Sequence, residues 1–282
     1  MCGIVGYIGN RKAIPVLIKG LERLEFRGYD SAGLALHKGS EIKIYKKKGK
    51  VANLKRLVAN EINVNNNLGI AHTRWATHGE PSDINSHPHI SNKGQIALVH
   101  NGIIENHTTL KKILLERGYT FQSETDTEVI PNFIEEIKNG KISTVEAIRI
   151  ALTEVTGAYG LAILSKDEPD QLFVARKGSP IVIGIGKKEF FVASDPAPII
   201  EYTKKVIYLD DGDIAILNRN GTYKVIDIEN KIRTPRIKKL ELNLETIEKS
   251  GFEHFMLKEI FDQPRVIADS IRGRLNLKNK SN

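Results

Sequence analysis

The only cysteine of the chain is its second residue, in Met1-Cys2-Gly3-Ile4-Val5-Gly6. Methionine is removed from a new chain when the next side chain is small. Removal here would leave Cys2 carrying both a thiol and a free α-amino group. Their ordinary pKa values are about 8.5 and about 8, so the amine can act as general base for the thiol beside it. The plain alternative is a small apolar residue at a frayed terminus, and it suits a lone cysteine in an arbitrary chain. Further clusters outweigh it. Arg74-Trp75-Ala76-Thr77-His78 offers a guanidinium in a polar stretch, Asn101-Gly102 follows the apolar run Gln95 to His100, and Asp126 closes Ser123-Glu124-Thr125-Asp126. Alone, these read as a surface ion pair, a hairpin turn and a helix cap. Together they form the kit for cleaving an amide on an amino acid. A thiolate has its base. An Asn side chain and the next Gly N–H at a strand end can hold the tetrahedral oxyanion. Arg74 suits an α-carboxylate in bidentate fashion, and Asp126 an α-ammonium.

Positioning these groups needs a rigid frame. Ile4 to Ile8 reads as a buried strand, and Ala13 to Leu24 has helical apolar spacing at Ile14, Leu17, Ile18, Leu21 and Leu24. Arg27 to Gly33 reads as a tight turn, Leu34–Leu36 and Glu41–Tyr45 as strands, Val51–Ile62 as a helix and Asn63–Asn67 as a loop. Leu68 to Trp75 reads as a strand leading into the Arg74 cluster, and Gln95 to His100 as one that stops at Asn101-Gly102. Helices are expected over His107–Arg117, Thr125–Lys138 and Ser143–Thr156, the second capped within Ser123 to Asp126. Short strands then run from Gly160 to Ile228, and Phe255 to Ile271 fits one more helix. Strands, a block of helices and more strands predict packed sheets with helices on their outer faces. From Arg236 onward the chain reads as a linker or connector.

The 282 residues are 40% hydrophobic and 27% charged, an ordinary globular composition. No secretory signal or membrane-length apolar run is present, and one cysteine excludes an internal disulfide, so a reducing cytoplasm is the expected setting. The net charge of +8 raises nucleic acid as a partner, but Lys46-Lys47-Lys48-Gly49-Lys50 is the only dense basic run and no aromatics interleave with it. It reads as a solvated strand edge. Neither nucleic acid nor membrane is expected as a partner. Histidines 72, 78, 87, 89 and 100 have no cysteine or acidic triad at ligand spacing, so no metal and no cofactor is expected.

Met-Cys-Gly-Ile-Val-Gly, Arg-Gly-Tyr-Asp-Ser-Ala-Gly, His-Thr-Arg-Trp-Ala-Thr-His-Gly, Val-His-Asn-Gly-Ile-Ile-Glu-Asn and Ser-Glu-Thr-Asp-Thr-Glu closely resemble the glutaminase domain of the glutamine–fructose-6-phosphate aminotransferases, from Met1 to about Arg274. The resemblance implies an α+β fold of the N-terminal-nucleophile hydrolase type, a four-layer αββα sandwich. It implies that Cys2 attacks the side-chain amide of L-glutamine and that Asn101 and Gly102 form the oxyanion hole. Arg74, Thr77, His78 and Asp126 would bind the glutamate moiety, Trp75 would sit in the loop that closes on it, and Arg27 would support the Cys2 end. Glutamate and ammonia would form through a γ-glutamyl thioester. In the full family protein the ammonia goes to fructose 6-phosphate and gives glucosamine 6-phosphate. Members of the family continue into two sugar-isomerase domains, whereas this sequence ends at Asn282. The expected division is an amidotransferase domain over 1–235 and a connector over 236–282, with the isomerase function on another segment or chain. Glutaminase without synthase activity is the resulting expectation. The competing readings are a silent glutamine-binding remnant and, last, a basic nucleic-acid binder. The oligomeric state stays open, a homodimer included.

Overall fold

Gly3–Ile8 is buried along its whole length and forms strand β1. A continuous apolar run is what a strand covered on both faces requires. The computed structural model describes residues 2–62, 64, 66–76, 79–240, 252 and 255–271. In it, β1 lies within an eight-stranded antiparallel sheet with β2 (Ser31–Lys38), β3 (Glu41–Lys48), β4 (Leu68–Arg74), β9 (Val182–Ile185), β10 (Phe190–Ala193), β11 (Lys205–Tyr208) and β15 (Ile237–Lys239). The spatial order is β15-β11-β9-β10-β1-β4-β2-β3. A second antiparallel sheet joins β5 (His89–Ile90), β6 (Ile96–Ile104), β7 (Gly157–Ser165), β8 (Gln171–Lys177), β12 (Asp213–Asn218), β13 (Tyr223–Asp227) and β14 (Ile232–Arg233), in the order β14-β13-β12-β8-β7-β6-β5.

Strand alternation assigns each sheet two faces. Ile4, Ile8 and Ile70 of the first sheet meet Ala97, Val99, Ala162 and Val174 of the second in one apolar core. Helix α1 (Ala13–Leu24) buries Ile14, Leu17, Ile18, Leu21 and Leu24, and packs on β1 and β4 from the other side of the first sheet. Each such side chain contributes about 1.5–3 kcal/mol on full burial, so the strip of five sets the helix firmly on its sheet. Helix α2 (Val51–Leu57) packs beside it on β2 and β3. No side chain at its own N-cap satisfies the first turn, but Glu25 reaches across and accepts the Val51 N–H at 2.7 Å. Helices α3 (His107–Glu116), α4 (Val129–Lys138) and α5 (Thr144–Glu154) cover the second sheet, with Leu110, Leu114, Ile130, Ile134, Ile148 and Leu152 against Leu98, Leu161 and Ile163. Ser143 caps α5 by accepting the Glu146 N–H. The layers are therefore helix, sheet, sheet, helix, the αββα sandwich expected from the resemblance. No helix among the described residues is long and apolar enough to cross a membrane.

The chain separates into two compact units, Met1–Glu241 and Leu242–Asn282. In the second, α6 (Phe255–Ile271) matches the helix expected there and contains Pro264. In the first, β15 pairs with β11 and Leu240 is buried, so sheet structure runs past Arg236, where the connector was expected to begin.

Three local readings change. Arg27–Gly33 is not one turn, because Ser31, Ala32 and Gly33 already pair with Arg74, Thr73 and His72 in the sheet. The helix over Val51–Ile62 stops at Leu57 and continues as a single 3₁₀ turn, Ala59–Glu61. The helix expected from Thr125 starts only at Val129, since Glu128 accepts the Gln122 and Ser123 N–H groups and holds the preceding loop in its own hydrogen bonds. The basic run is a solvated strand edge as expected, with Lys47, Lys48 and Lys50 exposed, and it makes contacts along the chain. Lys46 donates to the Ile84 carbonyl at 2.9 Å and Lys47 pairs with Asp83 at 3.1 Å, so this edge of β3 is tied to the loop after β4.

Candidate active site

Cys2 precedes β1 and shares the parity of Ile4 and Ile8, which face the second sheet. On β6 the same alternation turns Ala97 and Val99 toward the first sheet, and Asn101 follows them. The two residues meet between the sheets: Asn101 Nδ2 donates to the Cys2 carbonyl at 3.0 Å. β6 was expected to stop at Asn101-Gly102, yet it runs to Ile104, because β7 continues to pair with it at Asn101↔Gly160 and Gly102↔Tyr159. Gly102 has φ +136° and a Cβ there would lie 2.0 Å from the Ala158 oxygen. The Asn-Gly pair thus serves a close strand approach and not a hairpin.

Cys2 Sγ accepts the Trp75 N–H at 3.2 Å. The segment after β4 is held in place from two sides. Asp30 accepts the Ala76 N–H, and the Arg74 guanidinium donates to the carbonyls of Gly79 at 2.9 Å and Glu80 at 3.3 Å. Gly28 lets this segment lie close, since a Cβ there would be 2.8 Å from the Arg74 carbonyl. Trp75 is 49% exposed and packs edge-on against Tyr29 at 5.6 Å. Asp126 is buried, and one carboxylate oxygen accepts the Ile104 N–H at 2.7 Å, so it braces the end of β6 instead of capping α4. Arg27 pairs with Asp195 at 2.5 Å.

One cavity of about 210 Å³ is lined by Cys2, Arg27, Arg74, Trp75, Asn101, Gly102 and Asp126. Of the residues expected at the site, Thr77 and His78 lie outside the described residues. The remaining seven share this cavity. Burial pushes the Cys2 thiol above its ordinary pKa, and the Trp75 N–H at the sulfur opposes that shift. The site thus joins a thiol, an amide donor, a carboxylate and a guanidinium in a recess too small for a drug-sized ligand.

The sequence reading missed the support of this site. Ser194 accepts the Ile4 N–H at 3.0 Å and pins the start of β1. His72, His87, His89 and His100 form a buried cluster, of which His87 and His100 line the cavity, with His72 stacked on His87 at 4.2 Å. His100 lies 2.8 Å from Thr127 Oγ1 and His89 3.1 Å from Thr125 Oγ1. Burial drives all four below the usual imidazole value, His72 to about 3. The sequence showed these histidines only as a failed metal pattern, since their contacts are made between strands.

Residues 72–201 match the glutamine amidotransferase domain family. The chain carries a glutamine amidotransferase domain. Over 279 residues it is 55% identical to the glutamine–fructose-6-phosphate aminotransferase (isomerizing) of Bacteroides thetaiotaomicron, covering 98% of this chain and 45% of that one. The enzyme of the same name from Thermococcus kodakarensis is 50% identical over 97% of this chain and 45% of its own. The chain therefore spans less than half the length of these relatives, and its amidotransferase domain is homologous to their glutaminase part. The fold agrees with the glutamine phosphoribosylpyrophosphate amidotransferase of B. subtilis, at a TM-score of 0.69 and 27% identity over 82% of this chain and 50% of that one. That resemblance identifies the sandwich as the N-terminal-nucleophile amidotransferase type.

Proposed function

We propose that this amidotransferase domain hydrolyses the side-chain amide of L-glutamine to glutamate and ammonia, with Cys2 as nucleophile. What supports this above all is the cavity that gathers the lone thiol, an amide donor and two opposite charges within this domain family. With Met1 removed, the α-amine of Cys2 takes the thiol proton and the thiolate attacks the amide carbon. Asn101 Nδ2 and the Gly102 N–H receive the oxyanion, where charge develops only as the tetrahedral intermediate forms. Ammonia leaves, and water hydrolyses the γ-glutamyl thioester. Arg74, Thr77 and His78 receive the glutamate moiety with Asp126, Trp75 closes over it, and Arg27 supports the Cys2 end.

The relatives' printed name supports a wider setting. In it the ammonia feeds fructose 6-phosphate on sugar-isomerase domains in the cytoplasm, and 236–282 connects to them. The chain alone then gives glutamate but no glucosamine 6-phosphate. The test is incubation of the mass-verified chain with glutamine, with and without fructose 6-phosphate, beside Cys2→Ala. Glutamate release that disappears in Cys2→Ala is the expected result. Equal release from both proteins, or none from a chain with Cys2 exposed, would overturn the assignment.

A further inference from the structure

We propose that His72 is the positioning residue that decides which end of the Asn101 amide faces the reacting carbonyl, an inference that rests on the glutaminase reading above. His72 pairs with Ile4 across β4 and β1, so its ring points with Ile4 toward the second sheet. It is 1% exposed. Its Nε2 lies 3.1 Å from the His100 carbonyl oxygen and 3.0 Å from Asn101 Oδ1. A backbone carbonyl only accepts. Nε2 therefore carries the ring proton and donates.

That one assignment fixes the amide. A donor facing Asn101 requires the amide oxygen at that position, because the alternative sets an N–H against an NH₂ at 3.0 Å. The nitrogen is then at the opposite end, where it donates to the Cys2 carbonyl at 3.0 Å. An amide NH₂ has two hydrogens. One is used on Cys2, and the second belongs to the same group on the cavity wall. Turned over, Asn101 would present a lone pair to the developing oxyanion and repel it. The order of control runs from the His100 carbonyl, through His72, to the amide beside the nucleophile.

The surroundings hold the ring in this state. Burial keeps His72 neutral, with one N–H to place. Its buried Nδ1 has no hydrogen-bond partner, which suits a bare lone pair and would leave an N–H stranded. The His87 ring stacks on it at 15° between planes and fixes its rotation. His87 is itself oriented, since its Nδ1 accepts the His100 N–H at 3.2 Å. His72 also spans the two sheets, and so keeps the Asn101 donor aligned with Cys2.

Two measurements test this. The first compares His72→Leu with His72→Gln, whose amide nitrogen can stand where Nε2 stood and donate. Rates are expressed per Cys2 thiol titrated with an electrophilic glutamine analogue, so misfolded protein does not count. In His72→Leu, kcat falls about 10- to 100-fold while KM for glutamine stays within about threefold, since an oxyanion donor acts only in the transition state. His72→Gln recovers most of kcat. Unchanged kcat per reactive thiol in His72→Leu, or equal loss in both variants, overturns the proposal. The second measurement is the ¹⁵N spectrum of the histidine-labelled wild-type chain. A neutral Nε2–H tautomer for His72 across about pH 5.5–8 is expected, and an Nδ1–H or imidazolium signal overturns it. This arm reads orientation without turnover. Its adverse outcome overturns the proposal even where His72→Leu fails to fold, and a wild-type chain that releases no glutamate sinks the glutaminase reading separately.

Discussion

The Cys2 sulfur receives opposing influences, of which burial is the largest and the Trp75 N–H the next. Burial raises its pKa, and the Trp75 N–H at 3.2 Å lowers it by less. The resting site therefore holds a thiol at neutral pH, and the thiolate forms only when a base removes its proton. Alkylation of Cys2 by iodoacetamide should rise with pH and reach half its maximum above the ordinary cysteine value of about 8.5. A plateau below pH 8 would contradict this. At this scale much was legible from residue type. One cysteine, an Asn-Gly, an Arg and an Asp announce amide chemistry because few other roles need that set. His72, His100 and Ser194 were not legible, since each acts through a partner more than 20 residues away in sequence, and no local spacing marks such a pairing.

At the scale of elements, the expected strands and helices mostly hold, and two of the exceptions lie at the site. β6 passes through Asn101-Gly102 because β7 pairs with it there, and Asp126 leaves the helix N-terminus to brace the Ile104 N–H. In both places a tertiary hydrogen bond overrides a local turn or cap signal. The histidines between these elements carry a measurable consequence. His72, His87, His89 and His100 have folded pKa values below the usual value, near 6.5 in an unfolded chain. Each binds a proton on unfolding below that pH. Stability is complete above about pH 6.5 and falls as pH drops toward the folded values. Urea midpoints at about pH 7, 6 and 5 should fall steeply below 6.5, and His87→Gln should flatten that slope.

Across the whole molecule, the layer order was readable from blocks of strands and helices, but the strand order was not. β1 pairs with β10, which begins 182 residues after Ile8, and nothing near either strand marks the other as its partner. The same non-local logic placed sheet structure beyond Arg236, where composition alone suggested a connector. Because the compact unit closes at Glu241, a chain cut after that residue should keep a single cooperative unfolding transition and release glutamate within about threefold of the 282-residue chain. Loss of either would mean that the last 41 residues sustain the site. One further property follows from the arrangement of the sheets. The sulfur hangs from one sheet and the amide from the other, so turnover demands that the seam between them stay shut. The same apolar seam covers one face of each sheet, so neither sheet outlasts it. Catalysis in this protein is then a gauge of that seam: in rising denaturant glutamate release and far-ultraviolet ellipticity fall together.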